Sequence, residues 1–160
     1  MKEIEYKWIL EKIPELDFQN RKTIKQGYFS NANYEIRIRE TYNVNSGDTK
    51  WIVCHKEGLG LVREETEEEV SRNLFQLLWP LTINARIEKT RMIFFDSLGL
   101  KWEIDEYYGL KTSLVSCELE IPTVDFKFTI PPQIADLIKY EVTGDVKWLN
   151  STLARNGIPF

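Results

Sequence analysis

The sequence predicts an α+β chain dominated by β-structure, with its strands closed into an antiparallel barrel and a few helices at its flanks. Three observations point there. Seven segments alternate with a two-residue period or are rich in β-branched and aromatic residues. Gly and Pro stand between them at intervals suited to hairpin turns. That many antiparallel strands within 160 residues must bury their edges, and closure is the direct way to do so.

The elements follow in chain order. Glu3 to Leu10 places Glu3, Glu5 and Lys7 on one face and Ile4, Tyr6 and Trp8 on the other. Tyr34 to Tyr42 alternates Arg37 and Arg39 with Ile36 and Ile38, and the turn Asn45-Ser46-Gly47-Asp48 leads into Lys50 to Lys56. Glu57-Gly58-Leu59-Gly60 turns the chain into Leu61 to Val70. Ser71 then caps a helix through Leu74, Leu77 and Leu78 to Trp79, stopped by Pro80. Strands Ala85 to Phe95, Lys101 to Tyr107 and Leu114 to Ile121 are joined by turns at Ser97-Leu98-Gly99 and Tyr108-Gly109. Pro131-Pro132 opens a helix over Ile134, Ala135, Leu137 and Ile138, and Val146 to Arg155 forms a short terminal one. With 42% hydrophobic residues, residues 1–160 suffice for one domain with a real core and are too few for two comfortable ones.

Charge is segregated along these strands. An isolated alternating strand usually turns its charged face to solvent, and an ordinary surface intersperses signs. Here Arg37 pairs with Arg39 and Lys89 with Arg91, while Glu65 pairs with Glu67, Glu103 with Asp105, and Glu118 with Glu120, each at i, i+2 on one face. Like charges so placed repel one another unless something binds between them. If the apolar faces pack outward, the charged faces converge on the barrel lumen. A polyanion together with divalent cations satisfies both sets. A triphosphate, with about four negative charges at neutral pH, suits contacts from Lys7, Arg37, Arg39, Lys56, Lys89 and Arg91. The carboxylates suit Mg²⁺ or Mn²⁺.

Glu3-Ile4-Glu5-Tyr6-Lys7 matches the ExExK motif that opens the CYTH superfamily, the triphosphate tunnel metalloenzymes. Further segments resemble the short bacterial members in the same order: Gln26-Gly27-Tyr28-Phe29, Glu35-Ile36-Arg37-Ile38-Arg39, Lys56 ahead of Arg63-Glu64-Glu65, and Leu78-Trp79-Pro80. Glu88-Lys89-Thr90-Arg91, Trp102-Glu103-Ile104-Asp105, Glu118-Leu119-Glu120 and Glu141-Val142-Thr143-Gly144-Asp145 ahead of Lys147 continue the series. The resemblance implies an eight-stranded antiparallel tunnel holding a triphosphate along its axis. It implies that Glu3, Glu5 and Glu120 ligate the metal that binds the triphosphate. Asp105 and Glu118 are implied to serve a second, catalytic metal, with Glu65 and Glu103 assisting, and Lys7, Arg37, Arg39, Lys56, Lys89 and Arg91 to hold phosphate. Glu65, Lys89, Asp105 and Glu118 are the residues on which catalysis is expected to turn. Family members hydrolyse inorganic tripolyphosphate, nucleoside triphosphates or thiamine triphosphate, and some cyclise ATP. The compact chain favours inorganic tripolyphosphate, with cyclisation, thiamine triphosphate hydrolysis and non-catalytic capture of polyphosphate or nucleotides as alternatives.

Other features carry less. A net charge of −4 gives no basic footprint for nucleic acid. No window approaches the roughly 18 apolar residues of a membrane span, and the opening MKEIEYKW is no signal peptide. Cys54 and Cys117 fit neither a disulfide framework nor a zinc site, which points to the reducing cytoplasm, and both read as small buried hydrophobes. His55, facing opposite to Lys56, reads as surface or packing, and the Gly58/Gly60 segment as a turn without the Gly-Lys-Ser/Thr of a phosphate loop. The Trp residues read as core, one at a tunnel mouth being able to stack on a base or thiazole ring. A monomer or a homodimer is compatible with the sequence.

Overall fold

The computed structural model describes residues 1–29 and 34–159. Among them are β1 (Lys2–Leu10), β2 (Asn20–Tyr28), β3 (Tyr34–Asn43), β4 (Thr49–Glu57), β5 (Val62–Val70), β6 (Arg86–Phe95), β7 (Lys101–Tyr108), β8 (Leu114–Glu120) and β9 (Ile138–Glu141). They pair antiparallel in the order β5-β4-β3-β2-β6-β7-β8-β1, and β1 returns to β5 through Lys2↔Glu64, Glu3↔Arg63 and Ile4↔Val62. This is the eight-stranded closed barrel. Past Ile4, β9 takes over the free edge of β1, with Trp8 opposite Glu141 and Ile9 opposite Tyr140. No helix among the described residues is long and apolar enough to cross a membrane.

β2 lies outside the seven segments read from the alternation. Both of its faces are largely polar, Arg21, Thr23 and Lys25 against Lys22, Ile24 and Gln26, so it lacks the apolar-to-polar contrast that marks a strand. Its full-length ladders with β3 and β6 supply what periodicity does not. Gly27 has a packing reason: a Cβ there would lie 2.3 Å from Thr82 Oγ1. Thr82 ends a 3-10 turn over Trp79–Thr82 that leans on the barrel, and it holds the turn by donating to the Trp79 carbonyl and accepting from Arg86 Nε.

The helices are shorter than their sequence patterns suggest. α1 (Arg72–Leu78) is capped as expected, Ser71 Oγ accepting from Leu74 N at 3.1 Å, but Pro80 falls inside the 3-10 turn that extends the helix. The expected helix from Pro132 to Ile138 is the single turn α2 (Pro132–Ala135), because Ile138 is drawn into β9 beside Leu10. The expected terminal helix is split: a 3-10 turn over Val146–Trp148, capped by Asp145, is followed by extended Leu149 and α3 (Asn150–Asn156).

Apolar faces do pack outward. Ile4, Trp8, Met92, Trp102, Ile104, Val115, Cys117 and Leu119 form a core outside the wall, covered by Ile13, Leu16 and Phe18 after β1 and by Phe126, Phe128 and Ile134 after β8. The cover is mostly loop rather than helix. At one end of the barrel the inward faces themselves turn apolar. Ile9, Ile87, Tyr107 and Leu114 meet Val142, Trp148 and Leu153 there, so the C-terminal segment plugs that end. The eight-stranded tunnel that the sequence suggests thus has one end packed with apolar side chains of the C-terminal segment.

Candidate active site in the barrel lumen

The cavity has a volume of about 310 Å³ and a lining that is almost entirely ionic. Each strand contributes through its two-residue period: β1 brings Glu3 and Glu5, β3 Arg37 and Arg39, β4 Lys56, β5 Glu65 and Glu67, β6 Arg91, β7 Glu103, and β8 Glu118 and Glu120. Lys7 lines a small adjoining cavity of about 40 Å³ together with Glu3, Glu5 and Lys56. Lys89 and Asp105 lie behind the lining, 1% and 0% exposed. Lys22, Lys50, Lys101 and Asn150, none of them a sequence-derived candidate, also line the cavity. The parity that places Lys56 and Glu103 inward also places Lys50 and Lys101 there. Lys22 was out of reach because β2 was not legible as a strand, and Asn150 because α3 enters the lumen only through tertiary packing.

Most of the cations are tied to carboxylates. Arg91 is clamped on three sides, with Nε and Nη2 each donating at 2.7 Å to Asp105, Nη1 at 2.7 Å to Glu103 and Nη2 at 3.1 Å to Glu118. Lys89 Nζ meets Asp105 Oδ2 at 2.6 Å. Lys7 Nζ sits 3.3 Å from Glu118 and donates to the Trp148 carbonyl at 3.0 Å. Lys56 bridges Glu3 at 2.7 Å and Glu65 at 2.8 Å, and Arg37 reaches Glu67 at 3.0 Å.

These contacts separate the carboxylates electrostatically. Burial alone would raise Asp105 and Glu118, but Arg91 and Lys89 hold Asp105 well below the usual carboxylate range, and Lys7 with Arg91 draws Glu118 down to about 2. Glu65 is lowered against its burial by Lys56 and then Arg37. Glu5 goes the other way. Burial first and the Glu118 charge second push it up to about 8. Among the described residues no Lys or Arg nitrogen lies within 4.0 Å of a carboxylate oxygen of Glu5 or Glu120. The β1/β8 register sets these two directly opposite each other, with Glu3 next on the same face. Facing carboxylates without a cation are destabilising, and hard oxygen donors converging on one point are what Mg²⁺ or Mn²⁺ takes. Glu5 and Glu120 supply two such oxygen donors from facing strands.

Among the described residues, the one group of three potential ligands whose donor atoms lie within 4.8 Å of one another is on the β4/β5 wall: Cys54, Glu65 and Glu67. Cys54 is buried, as its sequence context suggests, but it faces the lumen side between Ile52 and Lys56, unlike Cys117 in the outer core. Burial raises its thiol to about 11 against the pull of Arg37, so it is neutral at ordinary pH. His55 faces outward, 3.6 Å from Glu57. No Trp lines the main cavity among the described residues, while Trp148 lines the small adjoining one.

The chain matches no protein-family model. It is 30% identical over 156 residues to an inorganic triphosphatase of Nitrosomonas europaea, covering 96% of this chain and 97% of that one. To an inorganic triphosphatase of Acetivibrio thermocellus it is 33% identical over 158 residues, covering 97% and 94%. Among solved structures, a crystal structure of an inorganic triphosphatase superposes with a TM-score of 0.67 at 27% identity, over 98% of this chain and 97% of that one. A Pyrococcus horikoshii protein shares the fold at a TM-score of 0.56 and 18% identity, over 77% and 80%. Closed barrel, segregated lumen charges and full-length similarity agree: this chain belongs to the CYTH superfamily of triphosphate tunnel metalloenzymes.

Proposed function

We propose that this protein is a divalent-metal-dependent hydrolase that cleaves inorganic tripolyphosphate to pyrophosphate and phosphate. The observation that carries this reading is the ionic cavity in which Glu5 and Glu120 face each other without a cation while seven cationic side chains, Arg37, Arg39, Lys56 and Arg91 with Lys22, Lys50 and Lys101, line the same space. The names of the two full-length relatives support the same activity. The lining holds no aromatic ring among the described residues and only Ile24 and Ile52 as apolar side chains. A substrate made of phosphate alone suits that surface better than one with a base or vitamin ring.

Glu3, Glu5 and Glu120 would hold one Mg²⁺ or Mn²⁺, and Glu118, assisted by Glu103, a second; Asp105, 0% exposed with both oxygens bonded to Arg91 and Lys89, acts through Arg91 instead. Such ions neutralise phosphate charge and lower the pKa of bound water. The chain's own residues do the rest. Arg37, Arg39, Lys56 and Arg91 bind non-bridging oxygens, and Lys7 approaches from the adjoining cavity. Arg91, held by Glu103, Asp105 and Glu118, is rigid before substrate arrives, so its charge needs no reorganisation as charge builds on the transferred phosphoryl group. Lys89 fixes Asp105 from behind. Glu65, ionised beside Lys56, would accept a proton from the attacking water. In-line attack by that water on a terminal phosphorus breaks the phosphoanhydride bond, and pyrophosphate leaves.

A phosphate-release panel tests this. Tripolyphosphate should be turned over with Mg²⁺ or Mn²⁺ and not with EDTA, ATP should yield no cyclic AMP, and pyrophosphate should be a poor substrate. Lys89→Ala should reduce turnover at least ~100-fold, the scale of losing one electrostatic support of the transition state. No phosphate release from tripolyphosphate in any metal would remove the hydrolase reading.

A further inference from the structure

Arg39 differs from the other arginines of the cavity and from Lys56 in what holds it. Arg37, Lys56 and Arg91 each sit within 3.0 Å of a carboxylate oxygen, whereas among the described residues no carboxylate lies within 4.0 Å of Arg39. Its acceptor is an amide: Nε donates to Gln26 Oε1 at 2.9 Å. The orientation of that amide is forced. A guanidinium only donates, so it must meet the carbonyl oxygen, and this turns Gln26 Nε2 to the Tyr28 hydroxyl oxygen at 2.6 Å. Gln26 is 0% and Tyr28 3% exposed. A buried amide satisfied at both ends holds one rotamer. Gln26 and Arg39 are also register partners across β2 and β3, so the ladder itself keeps them side by side.

With Nε tied to the wall, the two terminal nitrogens are the edge left for the cavity that Arg39 lines. That edge can still grip two phosphate oxygens at once. A carboxylate at position 26 would anchor the guanidinium equally well, but it would also cancel the charge, as Glu67 does for Arg37. The neutral amide anchors without neutralising. Burial, with Arg37 and Arg91 adding to it, draws Arg39 down to about 10, as befits a cation lacking an anion. We propose that Gln26 is a positioning residue that aims Arg39 at a phosphate of the substrate and keeps its charge uncompensated. The inference rests on the reading of the cavity as a triphosphate site.

Steady-state kinetics on tripolyphosphate with Mg²⁺ test it in Gln26→Glu, Gln26→Leu, Arg39→Gln and the double variant Gln26→Leu/Arg39→Gln. Gln26→Glu should raise KM at least tenfold with kcat changed less than threefold, since uniform binding is what is lost. Gln26→Leu should raise KM in the wild-type background and change it less than 1.5-fold once Arg39 is gone. Tyr28→Phe, a milder change, should raise KM about threefold if the larger variants fail to fold. Kinetics of Gln26→Glu within twofold of wild type, or an equal cost of Gln26→Leu with and without Arg39, would overturn the assignment. If wild type releases no phosphate, the hydrolase reading falls, and calorimetric titration of tripolyphosphate still decides the role of Gln26. Tenfold weaker binding by Gln26→Glu supports it, and no difference, including binding by neither protein, overturns it.

Discussion

Glu5 shows at the scale of one residue how a binding site stores free energy. Below its ordinary value of 4.5 the carboxyl is neutral in both the folded and unfolded chain. Between there and about 8 the unfolded chain releases a proton that the folded chain retains, so folding stability falls as pH rises through that window. Glu5→Gln removes the effect. In EDTA, the melting temperature of Glu5→Gln should therefore match wild type near pH 4.5 and exceed it by ~5 °C or more near pH 8.5, while turnover is lost. A wild-type curve that does not fall relative to the variant over this range would refute the uncompensated carboxylate. Glu118 has the opposite sign. Drawn down to about 2 by Lys7 and Arg91, it contributes stability that is present above 4.5 and lost as pH falls toward 2. Glu118→Gln should thus narrow the difference in stability between pH 6 and pH 3, measurable by denaturant titration.

At the scale of elements, the site depends on strands and caps that touch no substrate. Gly27 lets the 3-10 turn at Trp79–Thr82 lie against β2, and Gly27→Ala would place a Cβ 2.3 Å from Thr82 Oγ1. The barrel wall or the turn must then shift, and a cost of about 1–3 kcal/mol follows from overpacking. Because Gln26 and Tyr28 flank that position, KM should rise as well. Ser71→Ala removes the cap of α1 on the outer surface and should cost about 1 kcal/mol without changing KM or kcat. The contrast between these two variants, measured by thermal melts and kinetics together, separates scaffold strain that reaches the lumen from strain that does not.

At the scale of the whole molecule, closure creates the function and its cost together. A closed wall with its apolar faces outside forces many charges into one lumen, and the plug of Trp148 and Leu153 makes one end apolar. Divalent cation bound only by the folded state should raise the melting temperature, by about 2.7 kcal/mol of stability at 100 times the dissociation constant. Mg²⁺ should therefore stabilise wild type and fail to stabilise Glu5→Gln at the same concentration, a pair of melts that checks the carboxylate site without any assay of turnover. Leu153→Ala should lose about 2–5 kcal/mol, because a buried Leu side chain leaves a cavity in the plug.

The alternation of Glu3/Glu5/Lys7, Arg37/Arg39, Lys89/Arg91 and Glu118/Glu120 already determines which faces carry charge, since a strand's period of two leaves no choice. Segregation of sign within those faces points to a polyanion and metal ions, and the turns and the Ser71 cap are equally local. Tertiary structure alone decided the rest. β2 is a strand because β3 and β6 pair with it, not because its own residues alternate in polarity. Ile138 leaves its helix because β1 offers a free edge past the end of β5. One end of the lumen is apolar because the C-terminal segment packs into it. Gln26 anchors Arg39 only because the β2/β3 register sets them side by side, and Glu5 lacks a counter-ion only because the β1/β8 register places Glu120 opposite. Sequence period determines the face of a residue, while register and closure determine what stands across from it.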